Sequence, residues 1–360
     1  MRRYPFVPVL WILSLGSCGP PSEPTPSPPP PAPVTAVASI EAPNRKIGEG
    51  FTRATDLFGP AMVSEGNFYS ALPISPWSAY WFPFSSDGLF RATDSVLKKY
   101  DQYVLKRRGV ASHAAEIEEK EFYHPEGLGW SGRCNAWAMA SLMSPEPYLS
   151  EPVVLDGVSF NSTDLRALLV LSYGDMDGME LFGQRFNGDY KSTPEDIYAD
   201  QFHRLIQRKL FEENKPVIMD KDSGVELWSA PIFKADIQIR QDPVDSYRVH
   251  VRTALMGLSP LDSSNQDLGP ASAHVGTLQK TVVFEYTYDL VGMPQWDGRL
   301  KVVYGEWTGN SISNHPDFLW SLPEGGIHRS ENSEIEISMV DEIIARAEGH
   351  PWPRTSSMTK

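Results

Sequence analysis

The segment WSGRCNAWA, residues 130–138, carries one of two cysteines in a chain of 360 residues. A thiol works as an acyl-accepting nucleophile when its pKa is depressed, a base or imidazolium stands beside it, and donors await the tetrahedral oxyanion. The Ala- and Met-rich run after Cys134 reads as a helix, which puts the cysteine in a first helical turn. Unpaired N–H groups and the positive end of the dipole favour thiolate there. Arg133 adds positive charge, Gly132 allows a tight turn into the helix, and Trp130 and Trp137 are placed to wall a cleft. The backbone N–H of Cys134 is then the natural oxyanion donor. A small buried hydrophobe is the commoner fate of a cysteine, and sequence context alone leaves both readings open.

The chain has eight histidines, and His203 and His315 are the serious partners. His203, in DQFHRLIQRKL, begins an apolar run, and Asp220 ends the strand-like PVIMD seventeen residues later. On neighbouring antiparallel strands the carboxylate would orient the imidazole, as in a catalytic triad. RLIQRKLFEEN reads equally as an amphipathic helix, and Asp222 is an alternative to Asp220. His315 in NHPDFLW, with Asp317 beside it, is either a rival base or part of a rigid Pro turn packed by aromatics. His250 in SYRVHVR shares a strand face with Arg248 and Arg252 and reads as solvated. There is no HExxH, CxxC, GxGxxG or P-loop. DMDGME (Asp175, Asp177, Glu180) is acidic and Gly-bearing but lacks the twelve-residue ligand pattern of a calcium loop.

The positioning elements begin with the N-terminus. Arg2 and Arg3 precede an apolar run, Phe6 to Leu15, that is too short to span a bilayer as a mature helix. Leu15-Gly16-Ser17-Cys18 resembles a lipobox, whose cysteine is diacylated and becomes the new N-terminus. The expectation is a signal peptide over 1–17, a lipid anchor on Cys18, and a Pro-rich tether over 18–44 that favours extended polyproline II. The rest reads as one domain over 45–348 with a flexible tail over 349–360. The chain is then exported and anchored to a membrane of the cell envelope. Gly19, in place of the Asp that retains lipoproteins inside, points to the outer one. With Cys18 acylated or removed, one thiol remains and no intramolecular disulfide forms.

A hydrophobic fraction of 41%, with 10 Trp, 14 Tyr and 16 Phe, fits a large globular core. A net charge of −14 argues against nucleic-acid binding, which needs clustered Lys and Arg to replace phosphate counterions. Helical spacing is expected over 53–63, 88–108 and 112–123, then from Cys134 to Met143, where prolines end the run. From about residue 215, β-branched and aromatic runs alternate with period two. Helices followed by strands in blocks predict an α+β fold, a helical lobe ahead of an antiparallel sheet lobe.

These motifs carry a resemblance. WSGRCNAWA is similar to the G-x-C-H-A-W-A active-site segment of the transglutaminase elicitor family, known from oomycete cell-wall proteins and bacterial homologues. The likeness runs colinearly from about 70 to 325. It takes in SPWSAYWFPFSSDGL, then MSPEPYLSEPVVLDGVSFNSTDLRALLVLSYGD. FHRLIQRKL, VIMD and VELWSAPI come next, and VVYGEWTGNSISNHPDFLW closes it. The resemblance implies a papain-like cysteine fold and acyl transfer, in which a thiolate attacks a glutamine carboxamide, ammonia leaves, and an amine takes the acyl group. Cys134 would be the nucleophile, His203 the general base and later acid, and Asp220 the orienting carboxylate. The partners implied are proteins with glutamine side chains and amine donors. The chemistry requires no cofactor, although transglutaminases often use calcium, for which the DMDGME loop is the candidate. Asn135 replaces the His that commonly follows the cysteine, and Ser229 replaces the Asn of the family's W-N-x-P run. These departures leave open water as acceptor, which would make a cysteine peptidase or deamidase, or an inert binding domain.

Overall fold

The computed structural model describes residues 40–43, 53–184, 196–221, 224–261, 281–323 and 327–349. The signal segment, Cys18, Asp222, the tail beyond 349, and the tether except for 40–43 lie outside the described residues. The chain divides into two units, Met1–Ser39 and Ile40–Lys360, and every described residue lies in the second. Among the described residues no helix is long and apolar enough to cross a membrane.

Helices are α1 (Ala54–Phe58), α2 (Val96–Arg108), α3 (Ala114–Ile117), α4 (Cys134–Met143), α5 (Ser162–Leu171), α6 (Ala199–Ile206) and α7 (Ile337–Glu348). The strands of the first half are β1 (Met62–Val63), β2 (Gly66–Ala71), β3 (Val153–Leu155), β4 (Val158–Phe160), β5 (Asp175–Met176) and β6 (Glu180–Gly183). Those of the second half are β7 (Val217–Asp220), β8 (Ser229–Gln241), β9 (Arg248–Leu258), β10 (Thr281–Pro294), β11 (Leu300–Trp307), β12 (Phe318–Ser321) and β13 (His328–Arg329).

Period-two patterning built the main sheet. Ala235, Ile237 and Ile239 of β8 are buried between partly exposed Lys234, Asp236 and Gln238, and Val249, Val251 and Thr253 of β9 alternate with His250 and Arg252. Such alternation suits an antiparallel sheet with one face against the core. The order is β1-β11-β10-β9-β8-β7-β12-β6, with β2 also paired to β8, and the named pairs are antiparallel. The fold is α+β, but the sheet is not a separate C-terminal lobe, because β1, β2 and β6 from the first half complete it. α4 packs on β7 and β8, and α6 on β10 and β11.

Three local expectations change. Residues 53–63 give a five-residue helix and then strand β1, since Met62 and Val63 find ladder partners in Lys301 and Leu300. The helix expected over 88–108 starts only at Val96, after extended Ser95; Leu89 and Phe90 are buried in the preceding turns. His203 lies on α6 rather than on a strand. Every residue of this helix is buried, and Phe202 points its ring at Tyr286, Tyr288 and Trp307.

Candidate active site

In α4 every residue except Asn135 is buried, so this helix is apolar all round and runs through the core. Its start is strapped down by the aromatic segment 81–84. Arg133 N–H donates to Trp81 O at 2.7 Å, Phe84 N–H donates to Ser131 O at 2.9 Å, and Pro83 bridges Gly132. A Cβ on Gly132 would stand 2.7 Å from Pro83 Cα and 2.8 Å from Phe82 O, so this close approach of two backbones requires glycine. The strap holds Cys134 as the first residue of the helix, as its sequence context predicts.

Cys134 is 2% exposed. Its Sγ lies 3.5 Å from the Leu227 carbonyl oxygen, to which the thiol donates, and 3.7 Å from Ser229 Oγ. Burial pushes the thiol above its ordinary value. The backbone N–H and hydroxyl of Ser229 and the N–H of Asn135 pull the other way, while the nearby Asp220 charge adds to burial. Three donors therefore converge on the sulfur, but desolvation and a like charge outweigh them.

Asp220 ends β7 directly opposite Ser229. It is buried, and its Oδ1 accepts the Trp228 N–H at 2.9 Å. The structure thus brings Asp220 to the thiol but does not bring it to His203. His203 Nδ1 shares a 2.8 Å hydrogen bond with the Tyr288 hydroxyl, which is 2.8 Å from Thr253 Oγ1. Burial, helped by the Arg204 charge, pushes the imidazole down to about 4. Among the described residues no histidine ring hydrogen-bonds the Cys134 sulfur. His315 is committed elsewhere: its Nδ1 donates to Ser311 O at 2.8 Å, its Nε2 is 3.0 Å from Asp196, and its ring stacks on Trp307 at 5.1 Å. Asp317 is fully buried beside it.

The other sequence candidates divide. Trp130 lines a cleft of about 370 Å³ together with Cys134, Asn135, Leu227, Trp320 and Glu331. Trp137 does not, because it is fully buried and its Nε1 donates to Trp77 O at 3.0 Å. Arg133 does not serve the thiol either. Its guanidinium pairs with buried Glu118 at 2.7 Å, sandwiched between Phe84 and Phe122 at 5.0 and 4.9 Å. Asp177 is ion-paired with Arg329, and Asp175 and Glu180 sit on separate strands. Among the described residues no group of three or more His, Cys, Asp or Glu is arranged to hold a metal ion.

Sequence reasoning missed Leu227, Trp320 and Glu331. Glu331 borders the cleft with a raised pKa, caused first by burial and then by Glu118 and Asp175, with Arg133 opposing. Ser229 is visible in the sequence only as a departure from an expected Asn. These four reach the site through sheet pairing and a late loop, which no local pattern announces.

The family model for the transglutaminase elicitor matches residues 119–254. No curated protein matches the chain. The fold is similar to the crystal structure of the GP42 transglutaminase from Phytophthora sojae, with a TM-score of 0.56 and 17% identity, covering 82% of this chain and 96% of that one. At this identity the likeness speaks for a shared fold. The matched span, residues 119–254, holds the α4 thiol and the strand pair β7–β8 that supports it, and over that span this chain is similar to the transglutaminase elicitor family.

Proposed function

We propose that this chain is a cysteine-dependent acyltransferase of transglutaminase type, carried on a lipid anchor at Cys18 and a Pro-rich stalk. One observation supports the reading above all: Cys134 opens a buried helix at the wall of an aromatic cleft, with Ser229, the Asn135 N–H and Asp220 gathered at its sulfur. A glutamine carboxamide enters between Trp130 and Trp320. The sulfur attacks the carbonyl carbon, helix N–H groups receive the developing oxyanion, and the thiol proton passes to Asp220. Asp220 returns that proton to the departing ammonia, which leaves a thioester. An amine then attacks, its proton goes to Asp220, and the thiol is restored when that proton moves back to sulfur. A thiol and a carboxylate differ by roughly 4–5 pKa units in water, so this transfer is uphill and turnover is slower than with an imidazole partner.

A second reading has its own observation. With no imidazole at the sulfur among the described residues and a raised thiol pKa, the site suits a domain that binds glutamine-bearing protein without turning it over. The test supplies a fluorescent primary amine with a glutamine-bearing protein. Covalent incorporation that vanishes in Cys134→Ala supports transfer. Ammonia without incorporation assigns water as the acceptor, and neither product assigns the binding role.

A further inference from the structure

His203 is not bonded to the thiol, yet it is 2% exposed, and among the described residues only one of its ring nitrogens is bonded. The ring lines a cavity of about 170 Å³ set between α6, β1, β2 and β8. The walls are Met62, Val63, Phe68, Phe211, Ile237 and Ile239. Of the polar residues that share the lining, Ser64 is half-buried at the rim and the others are committed. Gln207 donates to Met62 O and accepts from Arg204, and the Glu212 oxygens accept from Arg204 and Arg208. With Nδ1 held by Tyr288, Nε2 is the ring atom left to serve a ligand, and among the described residues it has no polar partner.

We propose that this cavity is a binding site for a small neutral ring compound bearing one hydroxyl, such as a phenol or a cyclic alcohol, with His203 Nε2 as its hydrogen-bond partner. The volume suits one ring, since an apolar cavity of about 150 Å³ takes benzene. The polarity suits one hydroxyl. The Tyr288 hydroxyl can donate to His203 or accept from it, so Nε2 is a donor in one tautomer and an acceptor in the other. A hydroxyl satisfies both, whereas an ester, which only accepts, or an ammonium, which only donates, satisfies one. Burial keeps the ring uncharged at neutral pH, so a carboxylate finds no cation here, and the Glu212 charge at the cavity is of the wrong sign for it.

The test titrates the full-length protein with phenol, toluene and benzoate by calorimetry, with the ¹⁵N shifts of the His203 ring followed in parallel. Phenol is expected to bind saturably, toluene about fivefold more weakly, the net worth of one hydrogen bond, and benzoate not at all. Phenol should move the Nε2 resonance while toluene leaves it in place. His203→Phe keeps an apolar wall and leaves Tyr288 bonded to Thr253; it should bind phenol and toluene alike. If that variant does not fold, the ring shifts of the parent protein decide. The proposal is overturned by absence of phenol binding up to about 10 mM, by equal affinities for phenol and toluene in the parent protein, or by an unmoved Nε2 resonance at saturation.

Discussion

Replacing Asp220 with Asn should change the two reactivities of Cys134 in opposite directions. The residues paired across β7 and β8 are Asp220 and Ser229, about 5 Å apart at Cα in an antiparallel ladder. The Ser229 hydroxyl lies 3.7 Å from the sulfur, so the carboxylate is a near neighbour, and its charge raises the thiol pKa. A like charge disfavours the anion beside it, so removing it enlarges the thiolate fraction. Intrinsic nucleophilicity falls as pKa falls, with a Brønsted slope near 0.4–0.5, so about half of that gain, on a logarithmic scale, survives in the rate. Asn retains an amide oxygen to accept the Trp228 N–H, which limits the structural cost. Iodoacetamide labelling of Cys134 at pH 7.5 should therefore accelerate. Amine incorporation should fall by about 10² or more, the usual contribution of a positioned acid–base group. A purely structural carboxylate would change both in the same direction. Unchanged or slower labelling, in a variant that melts like the parent, refutes the electrostatic argument; undiminished incorporation refutes the assignment of Asp220 as proton acceptor.

The same geometry sets three other outcomes. His203 sits at about 4 in the fold against an ordinary 6.5, so the unfolded chain takes the proton first. Stability present above pH 6.5 is lost as pH falls toward 4, about 3 kcal/mol in all, so over that window the denaturant midpoint of the parent should fall relative to that of His203→Phe. Arg133→Met leaves Glu118 buried without its cation and should cost about 3–5 kcal/mol; adding Glu118→Gln should recover most of the loss in urea unfolding. Asn135 borders the cleft as the one residue of α4 not buried. Asn135→His puts an imidazole there, and amine incorporation at pH 8 should rise at least tenfold; no rise would mean the ring cannot reach the thiol.

The order of motifs around WSGRCNAWA is enough to identify the family, and the cysteine's place at a helix start comes from the glycine before it and the Ala-Met run after it. The sheet is legible too, because Ile237, Ile239, Val249 and Val251 alternate with polar residues and only a half-buried strand asks for that pattern. Local periodicity does less well where it is short: Met62 and Val63 form a strand because β11 offers them ladder bonds.

What the linear order could not decide was which groups meet. A histidine and an aspartate seventeen residues apart read as partners, but a helical turn aims His203 at Tyr288 while the register of β7 on β8 sends Asp220 to Ser229 and the sulfur. Arg133 lies next to the cysteine in the chain and yet spends its charge on Glu118 across the core. Side-chain type and short-range pattern are written locally, whereas a pKa or a proton route depends on distances of a few ångströms between segments that only packing brings together.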